Sequence, residues 1–209
     1  MSPNLALFIL VVLIVVGGFA LGTHRNVRRG DEAMRWAQGG LPLVGEKTTL
    51  QWLGSSVVQL RIQNAKRPFR DAEVLFVLEP RDIAPLWLLA RTRGRRDLFI
   101  FRSRMHHLPG FEFEAFEPKT WSARGREAQL RNQKWRPVTV REPLVAFAPE
   151  PPASAGRVLE LAALAACPLL RLSIQRSDPN FEVHWPLAEL QKLPASTVFE
   201  TLRKLGEQA

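Results

Sequence analysis

The feature that most constrains this chain is an uncharged apolar run at its N-terminus. Residues 1–23 contain no charged side chain, and residues 5–22 read LALFILVVLIVVGGFALG. As a helix, 18 residues extend about 27 Å, close to the thickness of a bilayer's hydrocarbon core, about 30 Å. Pro3 suits the first turn of such a helix. We therefore predict a transmembrane anchor over residues 1–23.

The alternative for this run is a cleaved signal peptide, because Gly18-Phe19-Ala20 resembles a small-x-small cleavage site. Three features favour retention. No Lys or Arg precedes the run, the run exceeds a typical signal-peptide core, and arginines follow it at once. We predict a signal-anchor that stays in the mature, single-pass protein.

The orientation of the anchor follows from the charges beside it. Arg25, Arg28, Arg29 and Arg35 lie just after the span, whereas only the terminal amine lies before it. The positive-inside rule then predicts an outside N-terminus and a domain on the cytoplasmic face of the cell membrane. Residues 24–47 form a basic juxtamembrane segment, in which Trp36 is expected at headgroup level.

The net charge of +9 is concentrated near the membrane. Residues 24–142 hold 23 Lys and Arg against 13 Asp and Glu, whereas residues 143–209 hold 6 against 7. A basic surface attracts anionic lipid or nucleic acid, although it also occurs simply as a solvated surface. The single cysteine, Cys167, excludes an intramolecular disulfide framework.

The remaining sequence predicts an α+β domain over residues 48–209 that has a mainly antiparallel sheet. Apolar and polar residues alternate in several segments, as in Val58, Leu60 and Ile62, which is typical of half-buried strands. The strands predicted from such patterns are 58–63, 74–78, 86–92, 98–105, 111–116, 138–141, 144–148, 170–175 and 181–185.

Helices are predicted over residues 31–38, 122–134, 154–166 and 195–204, with Gly39-Gly40 and Gly206 as stops of the first and last. Strands followed by segregated helices favour α+β over a doubly wound sheet. The polar segment 117–136 is a possible hinge that would divide the domain into 48–116 and 137–209.

Three sets of residues resemble catalytic or ligand-binding motifs, and each fails on spacing or surroundings. Residues 40–48 approach a phosphate-binding loop, but Glu46 stands where the lysine is needed. His106 and His107 are adjacent, so in an extended chain their side chains point to opposite faces and cannot easily bind the same metal ion. Cys167 closes a predicted helix, where the helix dipole disfavours the thiolate that a nucleophile with His184 and Asn180 would need. We expect no catalytic residue, cofactor or metal, hence a protein that is not an enzyme.

One cluster remains as a candidate binding site. Predicted strands 86–92 and 98–105 would form a hairpin whose tip and second strand carry six arginines: Arg91, Arg93, Arg95, Arg96, Arg102 and Arg104. Arginines that face each other across a hairpin repel unless an anion lies between them. Phosphate, anionic lipid or an acidic protein would fit guanidinium groups. The alternative is that these arginines are solvated or paired with Glu112 and Glu114.

These observations favour a non-catalytic binding or scaffold module that contacts anionic lipid headgroups or an acidic protein through the arginine hairpin. The second hypothesis is a membrane-tethered nucleic-acid-binding protein, in which Trp87, Phe99 and Phe101 would stack on bases. The third and least favoured hypothesis is an enzyme that has no recognisable motif.

Overall fold

The computed structural model describes residues 2–123, 125–164 and 167–209. The strands are β1 (Lys47–Trp52), β2 (Val57–Gln63), β3 (Phe69–Val77), β4 (Leu98–Met105), β5 (Phe113–Phe116), β6 (Arg136–Val138), β7 (Val145–Ala148), β8 (Arg171–Ile174) and β9 (Phe181–Pro186). The α-helices are α1 (Pro3–Gln38), α2 (Ala84–Thr92), α3 (Arg126–Asn132), α4 (Ala155–Ala162), α5 (Leu187–Leu190) and α6 (Ala195–Gln208).

All nine strands join one antiparallel sheet in the order β1-β2-β3-β4-β9-β8-β5-β7-β6. The predicted α+β class is therefore confirmed. Strands from both sides of segment 117–136 belong to this sheet, because β8 pairs with β5 and β9 pairs with β4.

The main core lies on one face of the sheet, under α1, α4 and α6. The period-two pattern directs Val58, Leu60 and Ile62 of β2 to this face, and all three are buried. Phe99 of β4 lies at its centre, and its ring contacts four aromatic rings, those of Trp36, Phe76, Trp185 and Phe199, with centroid distances of 5.7–6.1 Å. The core therefore joins the second half of α1 to the sheet and to α6.

The other face of the sheet, called the open face below, is mainly polar. It carries charged residues from β2, β3, β4 and β9, and a small apolar cluster of Leu75, Leu98 and Ile100. Near β5 and β7, α3 covers it through Leu130, which packs with Phe116 and Phe147. The strong alternation seen in the sequence reflects this division between a packed face and an open face.

The predicted anchor and the predicted helix 31–38 form one continuous helix, α1, of 36 residues. Gly39 follows it, as predicted from the sequence. The N-terminal half of α1 is long and apolar enough to cross a membrane, with a mean hydropathy of 2.9. Its exposed aliphatic side chains contrast with Ala33 and Ala37 of the second half, which are fully buried.

The predicted strand over residues 86–92, and with it the arginine hairpin, is wrong. These residues belong to α2, which begins with Pro85 in its first turn and contains Leu, Ala and Arg, all good helix formers. Residues 86–89 are four consecutive apolar residues and lack the alternation of a half-buried strand. Such a run fits either a helix or a buried strand, so tertiary position decides between the two.

One strand was missed, and three helix predictions needed correction. β1 was not predicted, because Thr48 and Thr49 interrupt its apolar pattern. Gly206 does not end α6, because the helix continues to Gln208. The role of Gly206 is to let α6 pack closely on Phe69. Helix 154–166 is shorter in the structure (α4), as is helix 122–134 (α3); residues 124, 165 and 166 of these predictions lie outside the described residues.

Candidate membrane-facing surface

One end of the sheet lies beside the point where α1 leaves its apolar segment. Backbone atoms of Arg81 and Asp82 press on Gly22, the last residue of the apolar run; a Cβ there would lie 2.0 Å from the Arg81 carbonyl oxygen. Further along α1, Gly30 packs against the ring of Trp52. The chain between β3 and β4 is thus level with the end of the apolar segment, and the strands run from there alongside the second half of α1.

A buried polar cluster fixes this contact. The Asn26 amide donates to the Glu79 carbonyl oxygen (3.1 Å), and a guanidinium nitrogen of Arg81 donates to the Asn26 amide oxygen (3.1 Å). Arg81 also forms a two-pronged ion pair with Asp97, at 3.0 and 2.9 Å. We call Asn26, Glu79, Arg81 and Asp97 the junction cluster. Because three of its members lie between β3 and β4, it holds that segment against α1.

α2 lies within this segment and exposes its apolar residues. None of its residues is buried, and Leu86, Leu88 and Leu89 are 45–60% exposed, as is Ile83 just before the helix (49%). Trp87 instead turns inward, and its indole nitrogen donates to the Glu79 carboxylate. α2 is therefore attached through Trp87 and leaves an aliphatic surface uncovered.

Two loops extend this aliphatic surface. The turn between β1 and β2 exposes Leu53 (42%), and the Ser55 hydroxyl of that turn donates to Asp82 at 2.6 Å. After β5, Trp121 is 48% exposed, and the Arg95 guanidinium lies 4.9 Å from its ring centroid. Exposed aliphatic side chains beside an apolar span are typical of surfaces that contact the membrane interface.

Four of the six arginines predicted from the sequence lie at this end of the domain. Arg91 is exposed, stacks on Trp87 (5.6 Å) and lies 3.7 Å from the Glu79 carboxylate. Arg96 donates to the backbone carbonyl oxygens of Arg91 and Arg95. Arg93 is exposed and forms no ion pair with any residue that the structure describes. Arg93 and Arg96 do not face each other across a hairpin. Asp97 pairs with Arg81 of the junction cluster, and among the described residues it forms no ion pair with these four arginines.

Arg102 and Arg104 are not part of this surface. They lie on the open face, where Arg102 pairs with Glu182 (2.7 Å) and Arg104 pairs with Asp71 (3.1 Å) and Asp178 (3.9 Å). The sequence hypothesis of one six-arginine site is therefore wrong, because the second strand of the supposed hairpin runs away from α2.

The juxtamembrane residues divide between solvent and domain. Arg25, Arg28 and Arg35 are exposed, and Arg28 pairs with Glu32. Arg29 is half-buried and lies 3.8 Å from Asp97. Trp36, expected at headgroup level, packs on Phe99 and donates to the Leu193 carbonyl oxygen (2.9 Å). Its ring therefore belongs to the core of the domain.

Sequence reasoning missed the exposed apolar residues that make this surface: Leu53, Ile83, Leu86, Leu88, Leu89 and Trp121. The signal was present in Pro85 followed by four apolar residues and then arginines, which is the pattern of a short amphiphilic surface helix.

The open face carries a buried charge network. Glu182 accepts hydrogen bonds from Arg102, Arg171 and His184, and Glu114 accepts from Arg126, Arg171 and Gln175. Burial alone would raise the pKa of Glu182, but the His184 hydrogen bond and the neighbouring guanidinium groups lower it to about 2. Burial lowers the pKa of His184, which fits a neutral ring donating from Nε2.

A depression of about 940 Å³ lies beside this network on the open face, lined by residues of β2, β3 and β4. Most charged side chains around it are paired with one another, including Arg104 with Asp71. Glu114, considered from the sequence as a partner of the six arginines, is fully buried and instead pairs with Arg126 and Arg171. This arrangement stabilises the charges within the sheet.

The motifs considered from the sequence show no shared site in the described part of the chain. His106 and His107 are both exposed, and no group of three potential metal ligands occurs among the described residues. Cys167 is buried, and burial raises the pKa of its thiol to about 12. Phe99 and Phe101, considered as stacking platforms for nucleic acid, are fully buried in the core.

No protein-family model matches this sequence, and no curated protein shows significant similarity to it.

Proposed function

We propose that this chain is a membrane-anchored, non-catalytic binding module whose domain is held against anionic lipid headgroups by α2 and the arginines that follow it. The observation that carries the proposal is the contact of Arg81 with Gly22, which makes α2 level with the end of the apolar segment. The proposal includes a cytoplasmic domain and an outside N-terminus, because the arginines cluster after the span.

The chemistry of the surface matches the interfacial region of a bilayer. Leu86, Leu88 and Leu89 are suited to the boundary between headgroups and acyl chains, where exposed aliphatic side chains lose contact with water. Arg93 and Arg96 are within a few residues of them and are suited to phosphate groups. Most exposed apolar side chains of this surface are aliphatic, with Trp121 as the aromatic one. A mainly aliphatic surface flanked by arginines favours lipid over nucleic acid, whose bases stack on several exposed aromatic rings.

The test measures the depth of α2 in a membrane. A nitroxide is attached at Leu88→Cys in the full chain in nanodiscs; Cys167 is buried and its high thiol pKa keeps it unreactive. Leu108→Cys is the matched control, since Leu108 is 70% exposed in the loop after β4, at the opposite end of the sheet. We expect the label at residue 88 to be relaxed mainly by oxygen, which partitions into lipid, and the label at residue 108 mainly by a water-soluble nickel chelate.

The charge contribution is tested on the same labelled protein. Replacing Arg93, Arg95 and Arg96 by Gln should weaken docking by about 1 kcal/mol per arginine in nanodiscs that contain phosphatidylserine. In pure phosphatidylcholine the replacement should have little effect, and added salt should weaken the docking of the unmodified chain. A residue-88 label as accessible to nickel as the residue-108 label would disprove membrane docking, and insensitivity to phosphatidylserine would disprove headgroup recognition.

A further inference from the structure

The two edges of the sheet differ in how they are protected. β6 has only three residues and contains Pro137, which cannot donate a backbone hydrogen bond. β1 has six residues, all registered with β2 on one side. It has no proline, and its only charged residue, Lys47, stands at its start. Exposed edges of this length are normally protected by charge, proline or a covering element.

We propose that β1 binds an extended segment of a different protein, which joins the sheet as an additional strand and carries apolar side chains on one face and acidic side chains on the other. This proposal is independent of lipid docking.

The backbone of β1 supplies the first part of the recognition. The Leu53 N–H donates to the Val57 carbonyl oxygen at 2.8 Å, so the alternation along the ladder points the N–H and C=O groups of Thr48, Leu50 and Trp52 away from β2. Among the described residues, none forms a hydrogen bond with these outward groups. Another extended backbone presents donors and acceptors at the same spacing and satisfies them.

A groove beside β1 supplies the second part. Two adjoining depressions of about 420 and 270 Å³ lie between α1 and β1 and share Gln38, Leu41 and Thr48. Met34 of α1, Leu60 of β2 and Leu50 of β1, which is 47% exposed, give the larger one an apolar part, beside Asp31 and Arg35 of α1. Alternate side chains of an added strand point to one face of the sheet, so apolar side chains on this face would enter the groove.

The charges on the other face of the sheet indicate which side chains the added strand would carry on that face. Lys47 of β1 and Arg61 of β2 are exposed there, and neither forms an ion pair with any residue in the described ranges. Thr49 and Gln51 complete this face of β1 without a negative charge. Acidic side chains at the alternate positions of the added strand would therefore complement the edge.

The membrane anchor argues against a second copy as the occupant. Two identical edges related by a two-fold axis pair antiparallel, with the axis perpendicular to the strands. The Trp52 end of β1 lies beside Gly30, on the anchor side, and its Thr48 end lies near Gln38. An antiparallel pair would thus place the two anchors at opposite ends, so both could not enter the same bilayer.

The test uses the full chain in phosphatidylcholine nanodiscs and a displayed library of octapeptides that have Val, Ile, Leu or Phe at every second position and any residue between. We expect selected peptides to be enriched in Asp and Glu at the free positions. Binding should protect the amide hydrogens of Thr48, Leu50 and Trp52 from exchange.

Two variants distinguish edge pairing from other modes of binding. Thr48→Pro removes an outward N–H and keeps the β1–β2 ladder, so it should weaken selected peptides at least tenfold, whereas Thr49→Ala, the matched control, should change affinity less than twofold. Lys47→Gln with Arg61→Gln should abolish the preference for acidic peptides without abolishing binding.

The proposal would be overturned if no selected peptide were sensitive to Thr48→Pro while Thr49→Ala was neutral and both variants unfolded at the same temperature as the parent. Dimers in a single nanodisc that Thr48→Pro dissociates would likewise overturn it, in favour of a second copy.

Discussion

Single residues on the open face show how the domain tolerates charge in its sheet. Glu182 is only 6% exposed, yet it is surrounded by Arg102, Arg171 and His184. An isolated carboxylate would be costly at this depth, and the three donors offset that cost. Removing one partner would leave a buried charge without compensation, so the network couples the stability of the domain to pH.

The first prediction is that acid destabilises the domain through Glu182 and His184. The lowered pKa of Glu182, about 2 against an ordinary 4.5, gives stability that is present above pH 4.5 and is lost as the pH falls toward 2, by about 3 kcal/mol. The lowered pKa of His184 acts in the same direction, beginning near pH 6.5. Unfolding free energies between pH 7 and 3 measure both effects.

Glu182→Gln is the control for this pH dependence. It should be less stable than the parent at pH 7, because Arg102 and Arg171 lose a charged partner, and its stability should fall less between pH 4.5 and 3. An unchanged slope in this interval would assign the acid sensitivity to other groups.

The second prediction concerns Trp185, which is fully buried on β9 against Phe99 and donates to the Ala162 carbonyl oxygen. Trp185→Ala should lower the unfolding free energy by about 3–5 kcal/mol, because it leaves a large cavity between the sheet and α4. Chemical denaturation measures the loss. A change within about 0.5 kcal/mol, as is typical of surface substitutions, would mean that Trp185 points to the open face of the sheet and not into the core.

At the scale of elements, the packing of α1 against the segment before α2 determines where α2 lies. Gly22 meets the backbone of Arg81 and Asp82, and backbone cannot rotate away as a side chain can. Gly17, by contrast, has nothing within 4 Å of the position of a Cβ. Gly17 and Gly22 both lie in the apolar segment of α1, but of the two only Gly22 contacts the domain. Comparing substitutions at these two positions therefore distinguishes the hydrophobicity of the segment from its contact with the domain.

The third prediction follows from this difference. Gly22→Val should force the segment before α2 away from α1, lower the unfolding free energy by about 1–3 kcal/mol and make a label at residue 88 more accessible to water. Gly17→Val, which adds the same side chain to the same helix, should leave both measurements unchanged. Equal behaviour of the two variants would contradict the contact between Gly22 and Arg81.

At the scale of the whole molecule, one continuous helix, α1, joins the apolar segment to the domain. α1 leaves the apolar segment at Gly22 and reaches the core with Ala33 and Ala37 without a break. A helix without a flexible linker transmits its orientation to the domain it enters, and the junction cluster reinforces this coupling. The domain is therefore held with α2 toward the anchor and the loop of Leu108 away from it.

The fourth prediction is topological. Because the arginines follow the span, protease added to intact cells should leave the domain undigested, whereas protease added to inside-out membrane vesicles should digest it. Immunoblotting of the domain measures both results. Digestion in intact cells would reverse the proposed orientation, and detection of the N-terminal peptide in the mature protein tests retention of the anchor separately.

The sequence by itself determined the features that depend on local pattern. The apolar run of residues 5–22 predicts a helix long enough to span a membrane, because length and hydrophobicity suffice for that inference. The alternation in β2, β4 and β9 predicts strands with one packed face, because successive side chains of a strand point to opposite faces of its sheet. Together these patterns established the α+β class.

Only the tertiary structure decided which residues meet. Residues 86–92 fit a helix or a buried strand by local pattern. In the structure they form α2, which lies beside the end of the apolar segment. The six arginines separated because β4 carries Arg102 and Arg104 away from α2, where partners distant in sequence, such as Glu182, pair with them. Periodicity constrains a residue's own backbone, whereas pairing and burial depend on segments that sequence spacing does not bring together.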